Sequence, residues 1–175
     1  IPSHKMGNGI NERWKDFVGN EIFKMDLCEV QGLDDIHQAS GVIKEAQELA
    51  AELWGAKESF FLVNGTSSGI LASICSVVKE GEKIIIPRNS HKSVVYAMII
   101  SGATPIYFST EIYKEKGLVA GVDPEKLNAI YDLNLEAKGV LVASPSYHGI
   151  CSDMNQIADI THAHNGIFIA DEAHG

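Results

Sequence analysis

Apolar positions follow two rhythms along the chain. No period is sustained over the first forty residues. Then Val42, Ile43, Ala46, Leu49, Ala50, Leu53 and Trp54 recur at helical spacing and Gly55 closes the run, which predicts a helix. Phe60-Phe61-Leu62-Val63 is too short for a helix and, closed by Asn64-Gly65, reads as a buried strand. The alternation continues with a helix over 70–78, a strand over 83–86, a helix over 92–100 and a strand over 104–108. Asp123-Pro124 opens a helix to about Leu133, with Pro in its first turn. A strand over 139–143 follows. Asp153 with Gln156 resembles a capping box for a helix to about His164, and a strand over 166–170 ends on Asp171. Five strands mostly separated by helices predict an α/β domain with a largely parallel sheet. Such sheets bind ligands outside the carboxyl ends of their strands. That rule selects Asn64-Gly65, Pro87-Arg88, Ser144-Pro145 and Asp171-Glu172.

Composition narrows the picture. The 175 residues are 45% hydrophobic and 21% charged, ordinary values for a globular domain with a sizeable core. The net charge is −9, from 14 basic and 23 acidic residues, and no basic stripe is present to neutralise phosphates, which argues against nucleic acid. No apolar run has the length of a membrane span. Cys28, Cys75 and Cys151 form no CxxC and no disulfide framework, in keeping with a reducing compartment. His162 and His164 diverge on a helix and no HExxH occurs, so no metal site is expected. The chain opens on Ile, carries nothing like a signal peptide, and stops directly after an apolar strand; the expectation is a piece of a longer protein.

Four constellations can carry chemistry. Asn64-Gly65-Thr66-Ser67-Ser68-Gly69 follows an expected strand and opens an expected helix, where free N–H groups, the helix dipole and three hydroxyls suit a phosphate monoester. It is neither a Walker loop nor GxGxxG, and hydroxyl caps on a plain turn are an equally good account. Asp171 at a strand's carboxyl end suits a metal, a ribose or a protonated ring nitrogen; its plainer alternative is a turn cap. Arg88-Asn89-Ser90-His91-Lys92-Ser93 puts His91 at a helix start beside the same crevice, and Ser144-Pro145-Ser146-Tyr147-His148-Gly149 is a polar turn aimed at it. On its own His91 reads better as a polar residue at a helix start, and the Ser144–Gly149 turn also reads as an ordinary loop.

In their order along the chain these motifs resemble the major domain of the bacterial and plastid-type Orn/Lys/Arg decarboxylases, pyridoxal 5′-phosphate (PLP) enzymes of the aspartate-aminotransferase fold, fold type I. The likeness covers nearly the whole chain. Ile1-Pro2-Ser3-His4-Lys5-Met6-Gly7 is similar to the family's PGHKxG opening, and Asp26 to Asp35 to its acidic segment. Phe60 to Gly69, Pro87 to Ser93 and Asp171 to Gly175 match its cofactor motifs. The resemblance divides the chain into a loop-rich segment, residues 1–40, and a partial PLP-binding major domain, residues 41–175.

The resemblance implies that Gly65, Thr66, Ser67 and Ser68 grip the PLP phosphate, that His91 stacks on the ring, and that Asp171 pairs with the pyridine nitrogen. Ala173 would pack on the other ring face, His174 would lie next to the substrate, and Ser146 would approach the cofactor's phenolic side. Asp171, His91 and His174 are thus the implied catalytic residues. The implied activity is decarboxylation of a basic amino acid, arginine first and lysine or ornithine next, giving agmatine or a diamine for polyamine biosynthesis. A homo-oligomer in the cytoplasm is implied, with a plastid as the other compartment. Rival readings are a catalytically dead truncated chain and another fold type I enzyme, an aminotransferase or lyase. In the family the Schiff-base lysine lies downstream of Asp-Glu-Ala-His-Gly, and no lysine here matches its segment. The expectation is therefore a chain inactive and marginally stable alone. Of seven family strands, two would be absent, leaving a gap between the strand over 60–63 and the strand over 166–170.

Overall fold

The computed structural model describes residues 5–27, 30 and 32–175. Ile1-Pro2-Ser3-His4 of the opening motif, and Cys28, Glu29 and Gln31 of the acidic segment, lie outside the described residues. The chain divides into two compact units, Ile1–Phe61 and Leu62–Gly175.

The first unit is more regular than its glycines suggest. A 3-10 turn, Lys5–Gly7, precedes helices α1 (Glu12–Val18), α2 (Glu21–Lys24) and α3 (Val42–Trp54). The first two were not expected; each spans two turns or fewer, too few for a period to emerge. Helix α3 matches its prediction and ends at Gly55 in the left-handed conformation (φ 64°), whose N–H returns to Ala51 and Glu52. Its N-cap, Gly41, has no side chain to cap the first turn. Asp34 takes over from seven residues upstream. Its Oδ1 accepts the Ser40 and Asp35 N–H groups at 2.9 and 3.0 Å, and its Oδ2 accepts those of Gly41 and Ile43 at 2.9 Å each.

The second unit is a three-layer α/β/α sandwich. Helix α4 (Gly65–Val77) leads to β1 (Lys83–Pro87), α5 (Lys92–Ser101) and β2 (Thr104–Phe108). A two-residue-per-strand hairpin, β3 (Ile112–Tyr113) with β4 (Leu118–Val119), stands apart from the main sheet; it is too short to be read from alternation. Then come α6 (Pro124–Asp132), β5 (Ala137–Ala143), α7 (Met154–Ala163) and β6 (Ile167–Asp171). The main sheet has four strands in the order β2-β1-β5-β6, all pairs parallel.

Strand alternation feeds both outer layers. Ile84, Ile86 and Leu141 join Ile70 and Ile74 of α4 and Val94 and Ala97 of α5 in one core. Ile85, Val140 and Val142 join Leu127 and Tyr131 of α6 and Ile157 of α7 in the other. Each fully buried aliphatic side chain contributes about 1.5–3 kcal/mol relative to exposure. At the amino ends of the central strands, Lys83 pairs with Glu136 and Lys138 with Glu82 at 3.4 Å. The Lys83 ammonium holds the Glu136 carboxyl below the usual range.

The five-strand expectation needs correction. Residues 60–63 form no strand and pair with nothing in the sheet. Phe60, Phe61, Leu62 and Val63 are 73, 44, 50 and 66% exposed. A short apolar run becomes a strand only where a sheet edge offers its backbone a ladder. Among the described residues it has none, so no gap of the expected kind arises between it and the last strand. Helix α4 also starts five residues earlier than predicted, because its first turn is the polar Gly65-Thr66-Ser67-Ser68.

The Asp34 cap is testable by acid. Donation from the Ser40 N–H, then from Gly41, Asp35 and Ile43, outweighs partial desolvation and lowers its pKa from 3.8 to about 2. A depressed carboxyl pKa means that the stabilisation is complete above about pH 4 and is lost as pH falls through about 2. The NMR Cα shifts of Ile43 and Lys44 should lose helical character over that window in the wild type. In Asp34→Ala they should be less helical at pH 6 already.

Candidate functional site

The switch point of the sheet lies between β1 and β5, the pair from which the chain proceeds to opposite sides. At the carboxyl end of β1, the Arg88 N–H donates to Phe108 O at 2.8 Å and Ser90 Oγ–H to Pro87 O at 2.8 Å, which closes the turn that delivers His91 to the N-cap of α5. At the carboxyl end of β5, the Ser144 N–H donates to Asp171 O at 3.0 Å, and Ser144 Oγ accepts the Ser152 N–H at 3.0 Å. Strand β6 runs in register with β5 so that Asp171 lies opposite Ala143. Asp171 is only 6% exposed, and its Oδ1 accepts the Ala173 N–H at 3.2 Å.

These ends enclose a cavity of about 270 Å³ lined by Thr66, Ser67, Ile70, His91, Asp171, Ala173 and His174. Residues more than a hundred positions apart thus share one wall. An adjoining cavity, also about 270 Å³, is lined by Asn64, Ser67, Ser68, Leu71, His91, Lys92, Ser93 and Tyr96. Ser67 and His91 border both. A larger cavity of about 390 Å³ lies beside the β3–β4 hairpin, lined by Tyr113, Leu118, Ile150 and the Lys114-Glu115-Lys116 turn. It holds none of the sequence-selected site residues, so size does not select the site here.

Of the sequence-selected residues, Thr66, Ser67, His91, Asp171, Ala173 and His174 meet in one cavity, and Ser68 borders the other. Gly65 opens α4 with φ 69°, a conformation that suits glycine and turns the chain into the helix. Ser146 borders neither cavity. It is 7% exposed, and its Oγ accepts the Ile150 N–H at 3.2 Å within its own turn. From that turn Tyr147 reaches His174 edge to face, with ring centroids 5.6 Å apart. The sequence motifs include Asn64 and Ser93 but give neither a role, and they do not reach Tyr96. The available signal was Ser93 itself, a polar residue on the apolar side of α5.

The donor set has two poles. No side chain caps the first turn of α4, so its N–H groups and the hydroxyls of Thr66 and Ser67 remain at one end of the crevice. The buried carboxylate of Asp171 and the His91 ring line the same cavity. This fits an anionic group at the helix start, a flat ring beside the imidazole and a cationic ring atom at the carboxylate.

Comparison with known proteins decides the family. The family model for the Orn/Lys/Arg decarboxylase major domain matches residues 1–175. The chain belongs to the Orn/Lys/Arg decarboxylase family. It is similar to an arginine decarboxylase of Halalkalibacterium halodurans, 44% identical over the whole chain and 36% of that protein. It is also similar to an ornithine decarboxylase of Haemophilus influenzae, 32% identical over 82% of the chain and 22% of that protein. The chain therefore spans about a third or less of the length of these relatives. Among solved structures it resembles GDP-4-keto-6-deoxymannose-3-dehydratase with trapped PLP-glutamate, at TM-score 0.59 and 20% identity, covering 76% of this chain and 34% of that one. The fold is that of the fold type I PLP enzymes. Among the described residues no helix is long and apolar enough to cross a membrane.

The β5–β6 seam that presents Asp171 is sensitive to one atom. A Cβ at Gly139 would lie 2.1 Å from the Ile167 carbonyl oxygen across the ladder. Gly139→Ala must force the strands apart. We expect a loss of about 3 kcal/mol, the top of the usual overpacking range, read from the urea midpoint.

Proposed function

We propose that this chain forms the cofactor-binding part of a PLP-dependent decarboxylase of basic amino acids, with arginine the first substrate and lysine or ornithine next. The product is agmatine or a diamine, a precursor for polyamines. The carrying observation is the shared cavity, lined by an uncapped, hydroxyl-bearing helix start, a buried carboxylate and His91. The preference for arginine rests on the 44% identity to an arginine decarboxylase against 32% to an ornithine decarboxylase. The same family reading supports a homo-oligomer in the cytoplasm.

Each residue then has a physical task. The N–H groups of the first turn of α4, with Thr66, Ser67 and Ser68, hold the phosphate by charge-assisted hydrogen bonds. The His91 ring would cover one face of the bound ring and Ala173 would pack against the other. Asp171 would keep a proton on the ring nitrogen by Coulomb attraction from its buried carboxylate. PLP, when bound, supplies an electron sink for the bonding electrons left when CO₂ departs. His174, against whose ring the edge of Tyr147 packs, would lie next to the substrate. Ser146, tied into its turn, supports the approach to the phenolic side.

Two variants test this reading. Thr66→Ala/Ser67→Ala/Ser68→Ala should weaken PLP binding to the chain, followed by absorbance titration, by tenfold or more. Each lost contact to a charged phosphate costs about 1.5–3 kcal/mol. Unchanged affinity would remove the phosphate assignment. Asp171→Asn should leave PLP bound through its phosphate. At the length of the curated relatives, the same variant should lose nearly all release of CO₂ from arginine, because a neutral amide does not hold the ring proton. Wild-type turnover would remove Asp171 from its role.

A further inference from the structure

His91 borders both cavities, as Ser67 does, and its orientation is set by the residue two positions on. It caps α5 from an extended backbone (φ −64°, ψ 152°), and its Nδ1 accepts the Ser93 backbone N–H at 3.2 Å. Ser93 Oγ lies 2.8 Å from the same nitrogen. Ser93 is 2% exposed, beside Val94 and Ala97 on the buried side of the helix. A hydroxyl is costly to bury without a partner, and the imidazole is the partner recorded for it.

These two contacts decide the tautomer. A backbone N–H can only donate, so Nδ1 must present its lone pair to Ser93 N. The proton of the neutral ring therefore resides on Nε2. With no hydrogen on Nδ1, the Ser93 hydroxyl is the donor in its own contact as well. We propose that Ser93 is a positioning residue that locks His91 as the Nε2–H tautomer, so that the ring offers its face and its Nε2–H to the crevice and withholds Nδ1 from it.

The consequence for chemistry rests on the crevice being the PLP site; the lock itself rests on the helix-start geometry alone. Asp171 and His174 border the same cavity as His91, and Lys92 borders the adjoining one. A ring free to flip would bring Nδ1 in turn toward these groups. Held by Ser93, His91 is an oriented plate, and proton exchange with the crevice is confined to Nε2. The arrangement makes His91 a poor base at Nδ1 and a well-placed stacking surface.

The test is a long-range ¹H–¹⁵N correlation spectrum of the histidine-labelled chain at alkaline pH, with His91→Gln to identify the His91 signals. The wild type should show a pyridine-type Nδ1 and a pyrrole-type Nε2. Ser93→Ala should shift the tautomer ratio toward Nδ1–H by about fivefold, the equivalent of one net hydrogen bond. Ser93→Thr, which keeps the hydroxyl, should restore the wild-type pattern. Where Ser93→Ala does not fold, Ser93→Cys, with its weak donor, gives the same reading. A wild-type ring protonated on Nδ1, or a Ser93→Ala spectrum identical to wild type, would overturn the lock. Titration with PLP is read separately: an Nε2–H ring in a chain that takes up no PLP keeps the lock and removes the cofactor reading.

Discussion

Parallel pairing is the constraint on which the second unit depends. A parallel strand cannot return through a tight turn, so each strand here is followed by a crossover before its neighbour is laid down. All carboxyl ends then open on one edge. The helices that leave that edge present their N-termini to it, with their unpaired N–H groups and positive dipole ends. His91, before α5, owes its position to this geometry, whereas the Gly65-Thr66-Ser67-Ser68 turn follows no strand of the sheet and comes to the same edge through the packing of α4 against α5 and β6. The opposite edge carries different chemistry. There Lys83, Glu136, Lys138 and Glu82 form cross-strand ion pairs that lie on the amino-terminal side, away from the crevice.

Placing a carboxylate on the same edge would be unfavourable next to other acids, but it is favourable next to helix starts. Asp171 therefore completes a field that runs from the positive end of α4 to a buried negative group across one cavity. A ligand with its own opposed charges, an anionic substituent and a protonated ring atom, has each end matched. A simple anion would meet the carboxylate, and a simple cation the helix start. Taken alone, the turn suits a phosphate monoester or a plain cap and Asp171 a metal, a ribose or a protonated ring nitrogen; the two together select a dipolar ligand.

Much of this was legible in the sequence, and the misses have physical causes. Helices α3, α5, α6 and α7 carry a clear apolar face or a capping side chain, as with Asp123 and Asp153, whose carboxylates accept the Glu125 and Gln156 N–H groups. Strand β2 was found to the residue. Residues 60–63 were misread because a short apolar run looks the same whether or not a ladder partner is present. The start of α4 was missed because hydroxyls and glycine disguise a helical turn. The Asp34 cap was invisible because the carboxylate and the helix it serves are separated by a loop, and no local pattern links them. Within the site, Asp171 and His91 were legible from position at strand ends. Ser93 was not, because its importance lies in which nitrogen it faces.

Burial of polar side chains carries the same message from another direction. Among the described residues, the buried polar side chains are Gln47, Ser93, Ser144, Ser146, Thr161 and Asp171. Gln47 lies in the first unit and Thr161 bonds back to the Ile157 carbonyl of its own helix, a local solution. The other four all stand at the carboxyl edge of the sheet. Their partners lie close in the chain as well: His91 for Ser93 and Ala173 for Asp171 two residues away, Ile150 for Ser146 within its own turn, and Ser152 for Ser144 across that turn. An apolar residue at 144, 146 or 171 would leave the Ser152, Ile150 or Ala173 N–H without its acceptor, a cost of about 1–3 kcal/mol where that group is buried. The cluster is concentrated where ligands of such sheets bind, and its bonds orient His91, the turn bearing Tyr147 and the Asp171 carboxylate.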